Sequence, residues 1–237
     1  MSDKKIVIRI GGSLMYREGI ELNTPFLEKF KNWYEKNKEN YSKIVILVGG
    51  GKLSRTLSQQ MSEYTDVQHN LHQMNMSATN TNAFVVNALL SDRETKSPST
   101  LGHFFELLVE DNVKTIITGG LKVGWSTDMD GAVAAEVLGI DRVYKLSNID
   151  HVYDSDPAIN LKAKPIQSIS WEKYMDMFGI NSDNPSHTQN AHVPVDAICA
   201  RFCYKRGVDF FISGGKNIYS ADELGSVFES GTHIYSN

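Results

Sequence analysis

The sequence predicts an α/β domain built on a mainly parallel central sheet. Three observations carry that expectation: short β-branched runs stop at glycines or small polar residues, apolar residues at helical spacing lie between them, and the two patterns alternate along the chain. With 237 residues, 41% hydrophobic and 22% charged, the chain is long enough for one globular domain of generous size or a closely joined pair. Residue 140 marks a soft division between an N-terminal and a C-terminal lobe.

The first run, Lys5–Ile10 (KIVIRI), is closed by Gly11 and Gly12; the second, Lys43–Val48 (KIVILV), is closed by Gly49, Gly50 and Gly51. Both read as buried strands. Between them Thr24 is placed to cap a helix that opens with Pro25 and carries Phe26, Leu27, Phe30, Trp33 and Tyr34 at helical spacing. Further strands are expected at 114–118 (KTIIT, ending at Gly119 and Gly120), 142–146 (RVYKL, ending at Ser147 and Asn148) and 208–213 (VDFFIS, ending at Gly214 and Gly215). Helical patterns cover 53–64, 79–90, 101–110, 131–138, 171–178 and 195–206. The polar stretches 92–100 and 181–192 read as loops, and 155–164 as a small lobe after the strand at 142.

Composition excludes several classes of function. Lys+Arg 24 against Asp+Glu 28 leaves a net charge of −4, so no strong positive field exists to hold nucleic acid by counterion release. No apolar run approaches the ~18 residues of a spanning helix, and the charged start, Met1 to Lys5, carries no secretory apolar segment. A cytoplasmic protein that engages neither nucleic acid nor membrane is expected. The two cysteines, Cys199 and Cys203, stand four apart on one helical pattern and read as buried thiols. GxxxxGK[ST], GxGxxG and GxSxG motifs do not occur, and His69 and His72 read as a solvated face rather than metal ligands, so no resident metal site is expected.

The four glycine turns carry the chemistry. In a parallel α/β sheet ligands bind beyond the carboxyl ends of the strands, where glycine lets backbone N–H groups approach a phosphate and the next helix offers its positive end. Any one such turn is equally a plain turn. Four at strand ends are different, because three have cations beside them: Arg9 in the first strand, Lys52 with Arg55, and Lys216. Phosphoryl transfer needs such charges to neutralise donor, acceptor and bridging oxygens.

These turns, with 124–128 (GWSTD) and 145–157 (KLSNIDHVYDSDP), resemble the amino-acid kinase family, and most closely its uridylate kinases of archaeal type. Asn148 stands twenty residues after Asp128, the family's spacing between its phosphate loop and its T-N-x-D-G-V-Y-x-x-D-P segment. The likeness extends to 49–55 (GGGKLSR), 194–197 (PVDA) and 231–234 (GTHI). It implies a three-layer αβα sandwich, with an acceptor-binding lobe over about 1–140 and an ATP-binding lobe over about 141–237. The implied reaction moves the γ-phosphoryl of ATP to UMP with Mg²⁺, in a homo-oligomer, hexamers being common among these kinases.

Carried over by residue, the resemblance assigns Gly11 and Gly12 to the ATP phosphates, and Gly50, Gly51 and Arg55 to the junction of the two nucleotides. Gly124, Trp125, Ser126 and Thr127 match the loop around the acceptor phosphate; Ser147, Asn148, Tyr153 and Asp156 match the adenosine segment. Asp128 matches an acidic residue that in the family organises the basic groups or the metal at the transferring phosphate, with capping of the following helix as the plain alternative. Departures are specific. Arg9 stands where many relatives place lysine, which shifts catalytic weight toward Lys52 or Lys216. His151 replaces a turn glycine. His72 stands where relatives carry an acceptor-binding Asp, and Asn80 where they carry Arg. Two alternatives follow: a kinase for another phosphate or a carboxylate acceptor, and a nucleotide-binding storage or sensor protein like the family's molybdate-storage members.

Overall fold

A computed structural model describes residues 4–157, 159–180, 193–215, 218 and 230–236. The chain begins with β1 (Lys5–Ile10), α1 (Thr24–Asn37), β2 (Lys43–Val48), α2 (Gly51–Met61) and α3 (Gln68–Leu90). Then come β3 (Thr95–Lys96), α4 (Leu101–Val109), β4 (Thr115–Thr118), α5 (Thr127–Leu138) and β5 (Arg142–Ser147). The remainder holds β6 (Val152–Tyr153), β7 (Pro165–Ile166), β8 (Ser168–Ser170), α6 (Trp171–Met177), α7 (Ala197–Arg206), β9 (Asp209–Gly214) and β10 (Thr232–Tyr235).

Eight strands form one sheet in the order β3-β4-β2-β1-β5-β9-β10-β8. All pairings are parallel except β9 with β10, so β10 and β8 run against the other six. The sequence reason is the run of β-branched residues in β1 and β2. Strands buried on both faces need apolar side chains at successive positions, and all six residues of β2 are buried. Ile6, Ile8 and Ile10 face α1 and α3, which bring Phe26, Phe30, Trp33 and Val86 to that side. Val7, Val45, Leu47, Val143, Phe210 and Ile212 face α4 to α7 on the other. This is the expected three-layer αβα sandwich.

Local chemistry adjusts several expected boundaries. Asn23, not Thr24, precedes α1 as N-cap, and its side-chain amide donates to Leu14 O at 3.0 Å instead of capping. The helix expected at 79–90 starts eleven residues earlier. Its buried line runs Leu71, Ala78, Asn82, Val86, Leu90, and Asn75 stands in that line where an apolar residue would be expected. Asn75 Oδ1 instead accepts from Ser54 Oγ (2.7 Å) and Ser58 Oγ (2.5 Å) of α2. The apolar periodicity therefore fades while the helix continues. α5 likewise begins at Thr127 rather than 131, because Ser126 caps it by accepting from Met129 N at 3.0 Å. The polar stretch at 92–100 contributes the short edge strand β3, and 155–164 forms most of the connection between β6 and β7, which pair antiparallel. The loop expected at 181–192 lies outside the described residues. Cys199 and Cys203 are free buried thiols with Sγ atoms 3.9 Å apart. Among the described residues no helix is long and apolar enough to cross a membrane.

Candidate active site

The carboxyl ends of β1, β2, β4 and β5 converge on a cavity of about 320 Å³. Side chains alternate along β1, so Arg9 shares the α5 face with Val7; Lys145 shares that face of β5 with Val143. The strands pair in a register that sets Arg9 directly beside Lys145. Two cations side by side would repel, and a carboxylate separates them. Asp128, in the first turn of α5, places Oδ1 at 2.8 Å from Arg9 Nε and Oδ2 at 2.5 Å from Lys145 Nζ. Asp128 and Lys145 side chains are each 7% exposed and Arg9 16%, so water screens the triad weakly. Burial pushes the Lys145 ammonium pKa down, against the opposing pull of Asp128. The Lys145 ammonium also donates to Pro194 O.

The triad carries two positive charges and one negative, and two helix N-termini add to it. Ser126, the N-cap of α5, donates its hydroxyl to Asp196 Oδ2. Asp196 caps α7, with Oδ1 accepting from Ile198 N at 3.0 Å and Cys199 N at 3.1 Å. The starts of α5 and α7 thus meet at the cavity wall, where the positive ends of the helix dipoles favour an anion. Lys122 lies over the Trp125 ring at 4.4 Å, a further cation on that wall.

The glycine turns close the other side. Gly12 and Gly51 are in backbone contact: a Cβ on Gly12 would collide with Gly51 N, and one on Gly51 with Gly12 O. Gly51 also holds φ +59°, a left-handed conformation that side chains disfavour. Arg9 spreads its guanidinium between two turns, with Nη1 at 3.2 Å and Nη2 at 3.0 Å from where Cβ atoms on Gly11 and Gly49 would sit. The backbone of Gly11 is tied to β5 by Gly11 N donating to Leu146 O at 2.7 Å.

Of the residues singled out in the sequence, Arg9, Gly50, His72, Gly124, Trp125, Ser126, Thr127 and Asp128 lie together on the cavity wall. Gly11, Gly12 and Gly51 form the adjoining turns rather than the wall. Lys52 and Arg55 are exposed on the first turns of α2, and neither lines the cavity. Ser147 is buried at the end of β5, Asn148 is exposed, and Tyr153 lies on β6 with its ring 6.3 Å from that of His151; Asp156 begins the turn beyond. This group lies outside the cavity lining. Lys216 falls outside the described residues. His69 is exposed, whereas His72 is half-buried on the wall rather than on a solvated face. Asp128 is not the N-cap of α5; Ser126 is.

Sequence reasoning passed over Lys145, Asp196, Asn75 and Thr79, all on the wall. Lys145 had a readable signal, a cation flanked by Tyr144 and Leu146 inside the strand, away from its charged first residue Arg142. Asp196 had another, an acidic residue directly before a helical run.

A sequence profile described as the amino acid kinase family matches residues 4–212. Among curated relatives, the chain is 31% identical over 211 residues to the uridylate kinase of Thermococcus sibiricus, covering 89% of this chain and 90% of that one. It is 28% identical over 214 residues to the uridylate kinase of Pyrococcus abyssi, covering 90% and 91%. Among solved structures, the uridylate kinase of Archaeoglobus fulgidus superposes with a TM-score of 0.74 at 21% identity, covering 97% of this chain and 100% of that one. The UMP kinase of Bacillus anthracis superposes at 0.75 with 15% identity, covering 100% and 98%. These two likenesses are of fold.

Proposed function

Because the chain belongs to the amino acid kinase family, we propose that it is a kinase that moves the γ-phosphoryl group of ATP to UMP, forming UDP and ADP. The observation that carries the reading is the Arg9–Asp128–Lys145 triad, held across adjacent strands where two glycine turns and two helix N-termini meet. In the proposed arrangement the acceptor occupies the cavity, whose wall comes mostly from the N-terminal lobe, about residues 1–140, with Lys145, Val193, Pro194 and Asp196 added from the C-terminal side. ATP lies over the C-terminal lobe, about 141–237, with its adenosine toward the 147–156 segment.

The acceptor phosphate rests against the 124–127 turn and the start of α5. Gly11 N is taken by Leu146 O, so the amides offered to the donor phosphates are those of Gly12 and of the Gly50–Gly51 turn. An oxygen of the UMP phosphate forms the new bond to the γ-phosphorus as the bond to the β,γ-bridging oxygen breaks, and ADP departs with that electron pair. The attacking oxygen is already anionic at neutral pH, so no general base is required. Asp128 instead holds the two cations, which stabilise charge on the transferring group. Among the described residues no cluster of three or more His, Cys, Asp or Glu side chains could hold a metal. Asp128 and Asp196 are committed to protein partners. Mg²⁺ fits here as an ion carried by the triphosphate oxygens and water, where it supplies charge neutralisation.

The half-buried His72 on the acceptor wall favours a second reading, a kinase of this fold for another phosphate or carboxylate acceptor. One experiment separates the two. ADP release is followed with ATP, Mg²⁺ and a panel of nucleoside monophosphates and small acids. The highest kcat/KM with UMP supports the first reading. Turnover with a different acceptor supports the second. ATP binding without acceptor-dependent turnover overturns both and points to a storage or sensor role.

A further inference from the structure

Asn82 lies in the middle of α3, fully buried at 0% exposed, and it does not line the cavity. Its side chain bonds on both sides. Nδ2 donates to Gly49 O at 2.7 Å and to Gly50 O at 3.1 Å, while Oδ1 accepts from the Tyr16 hydroxyl at 2.5 Å. These bonds fix the rotation of the amide, since a flipped group would press its oxygen against two carbonyl oxygens. Only a carboxamide of this length offers two donor hydrogens and an acceptor at once. An aspartate would set negative charge against both carbonyls, and serine would fall short.

The consequence is felt in the second glycine turn. In a trans peptide the carbonyl and the N–H lie in one plane and point in opposite directions. The carbonyl of Gly49 shares its plane with the N–H of Gly50, and the carbonyl of Gly50 with the N–H of Gly51. By drawing both carbonyls to itself, Asn82 turns both N–H groups away from α3. The donor atoms of the turn are aimed from behind, by a residue that touches neither ligand. Tyr16, which follows the first glycine turn, tethers that segment to the same amide. Three residues earlier on α3, Thr79 Oγ1 accepts from Gly120 N at 2.6 Å. One helix therefore holds three of the four turns in mutual position.

We propose that Asn82 is a positioning residue for phosphoryl transfer, acting through the backbone of the 49–51 turn, with Tyr16 as the group that orients it. The proposal rests on the kinase reading above. Misplacing reacting groups by about 1 Å costs about 100-fold in rate, so Asn82→Ala lowers kcat with UMP and ATP by about that factor. Tyr16→Phe, which leaves the amide oxygen without its donor, lowers kcat by about tenfold. In both variants KM for UMP changes far less than kcat, because Gly50 is the one residue of the acceptor wall that Asn82 bonds. The double variant is no slower than Asn82→Ala alone, since Tyr16 acts only through the amide.

The test uses the full chain, with the exposed helix variant Thr81→Ala as control, at a temperature where circular dichroism shows each protein folded. A kinetic arm measures kcat and KM, and a second arm follows hydrogen exchange of the peptide covering 49–55 without nucleotide. Asn82→Ala raises that exchange by about tenfold. Wild-type kcat in Asn82→Ala, losses that multiply in the double variant, or unchanged exchange in both single variants overturns the proposal. Wild-type protein that forms no UDP defeats the kinase reading alone, and the exchange arm then decides whether Asn82 holds the turn.

Discussion

Asp130 offers the most quantitative test of how burial governs charge in this molecule. It lies in the first turn of α5, 1% exposed, with Oδ2 accepting from Leu121 N at 3.3 Å and Oδ1 without a hydrogen-bond partner. Burial pushes its pKa from 3.8 up to about 7, the charges of Asp128 and Asp196 push the same way, and the Leu121 N–H opposes them. A carboxyl whose folded pKa is raised contributes stability that is fully present below pH 3.8 and lost as the pH climbs through about 7. The shift is roughly three pH units at about 1.4 kcal/mol each, or about 4 kcal/mol in all. About 1.7 kcal/mol of this is already lost by pH 5, so about 2.5 kcal/mol disappears between pH 5 and pH 8.

Asp130→Asn keeps the acceptor for Leu121 and cannot ionise. Any constant cost of the buried amide cancels when two pH values are compared. Urea unfolding of both proteins at pH 5, 6, 7 and 8 therefore shows the variant gaining about 2.5 kcal/mol on the parent across that range. A gap that stays constant to within about 0.5 kcal/mol would refute the argument that the buried carboxyl titrates near neutrality.

Three further outcomes are expected. Asp128→Ala leaves two buried cations without their shared carboxylate, which lowers stability by about 3–5 kcal/mol and abolishes UMP-dependent ADP release; calorimetry and the coupled assay read the two effects. Gly51→Ala forces a side chain into the left-handed region and into Gly12, costing about 1–3 kcal/mol and most of the turnover, as thermal melts and initial rates would show. Cys199 and Cys203 are both fully buried, and burial raises the Cys199 thiol pKa well above its ordinary value, so an aromatic disulfide reagent titrates neither cysteine in the folded protein and both in urea, a spectrophotometric count.

What the sequence revealed, and what it withheld, follows from the range of each signal. β1 and β2 are legible because a strand buried on both faces must be apolar at successive positions, and Arg9 stands out as the exception near the end of KIVIRI. The glycine turns and the 124–128 loop are legible because backbone contact and helix capping constrain local residue type. The first half of α3 was hidden. Its residues answer to α2 and the cavity, and Asn75 bonding to two serines replaces the apolar contact that periodicity looks for. Lys145 was visible as a cation within a strand, but its role was not: that depends on lying beside Arg9, a register between residues distant in sequence. The same holds for Asn82, whose partners Tyr16, Gly49 and Gly50 come from two other segments.

The outermost members of the sheet bear on how this protein behaves at high concentration. The margin strands β3 and β8 are only two and three residues long. An open margin is a template on which a foreign strand can add, and its pull grows with the number of consecutive unpaired N–H and C=O groups. Rows this short offer an incoming chain few bonds in register. Fibril growth by lateral strand addition thus gains little purchase at either end, even though the interior of the sheet is as apolar as many aggregating segments.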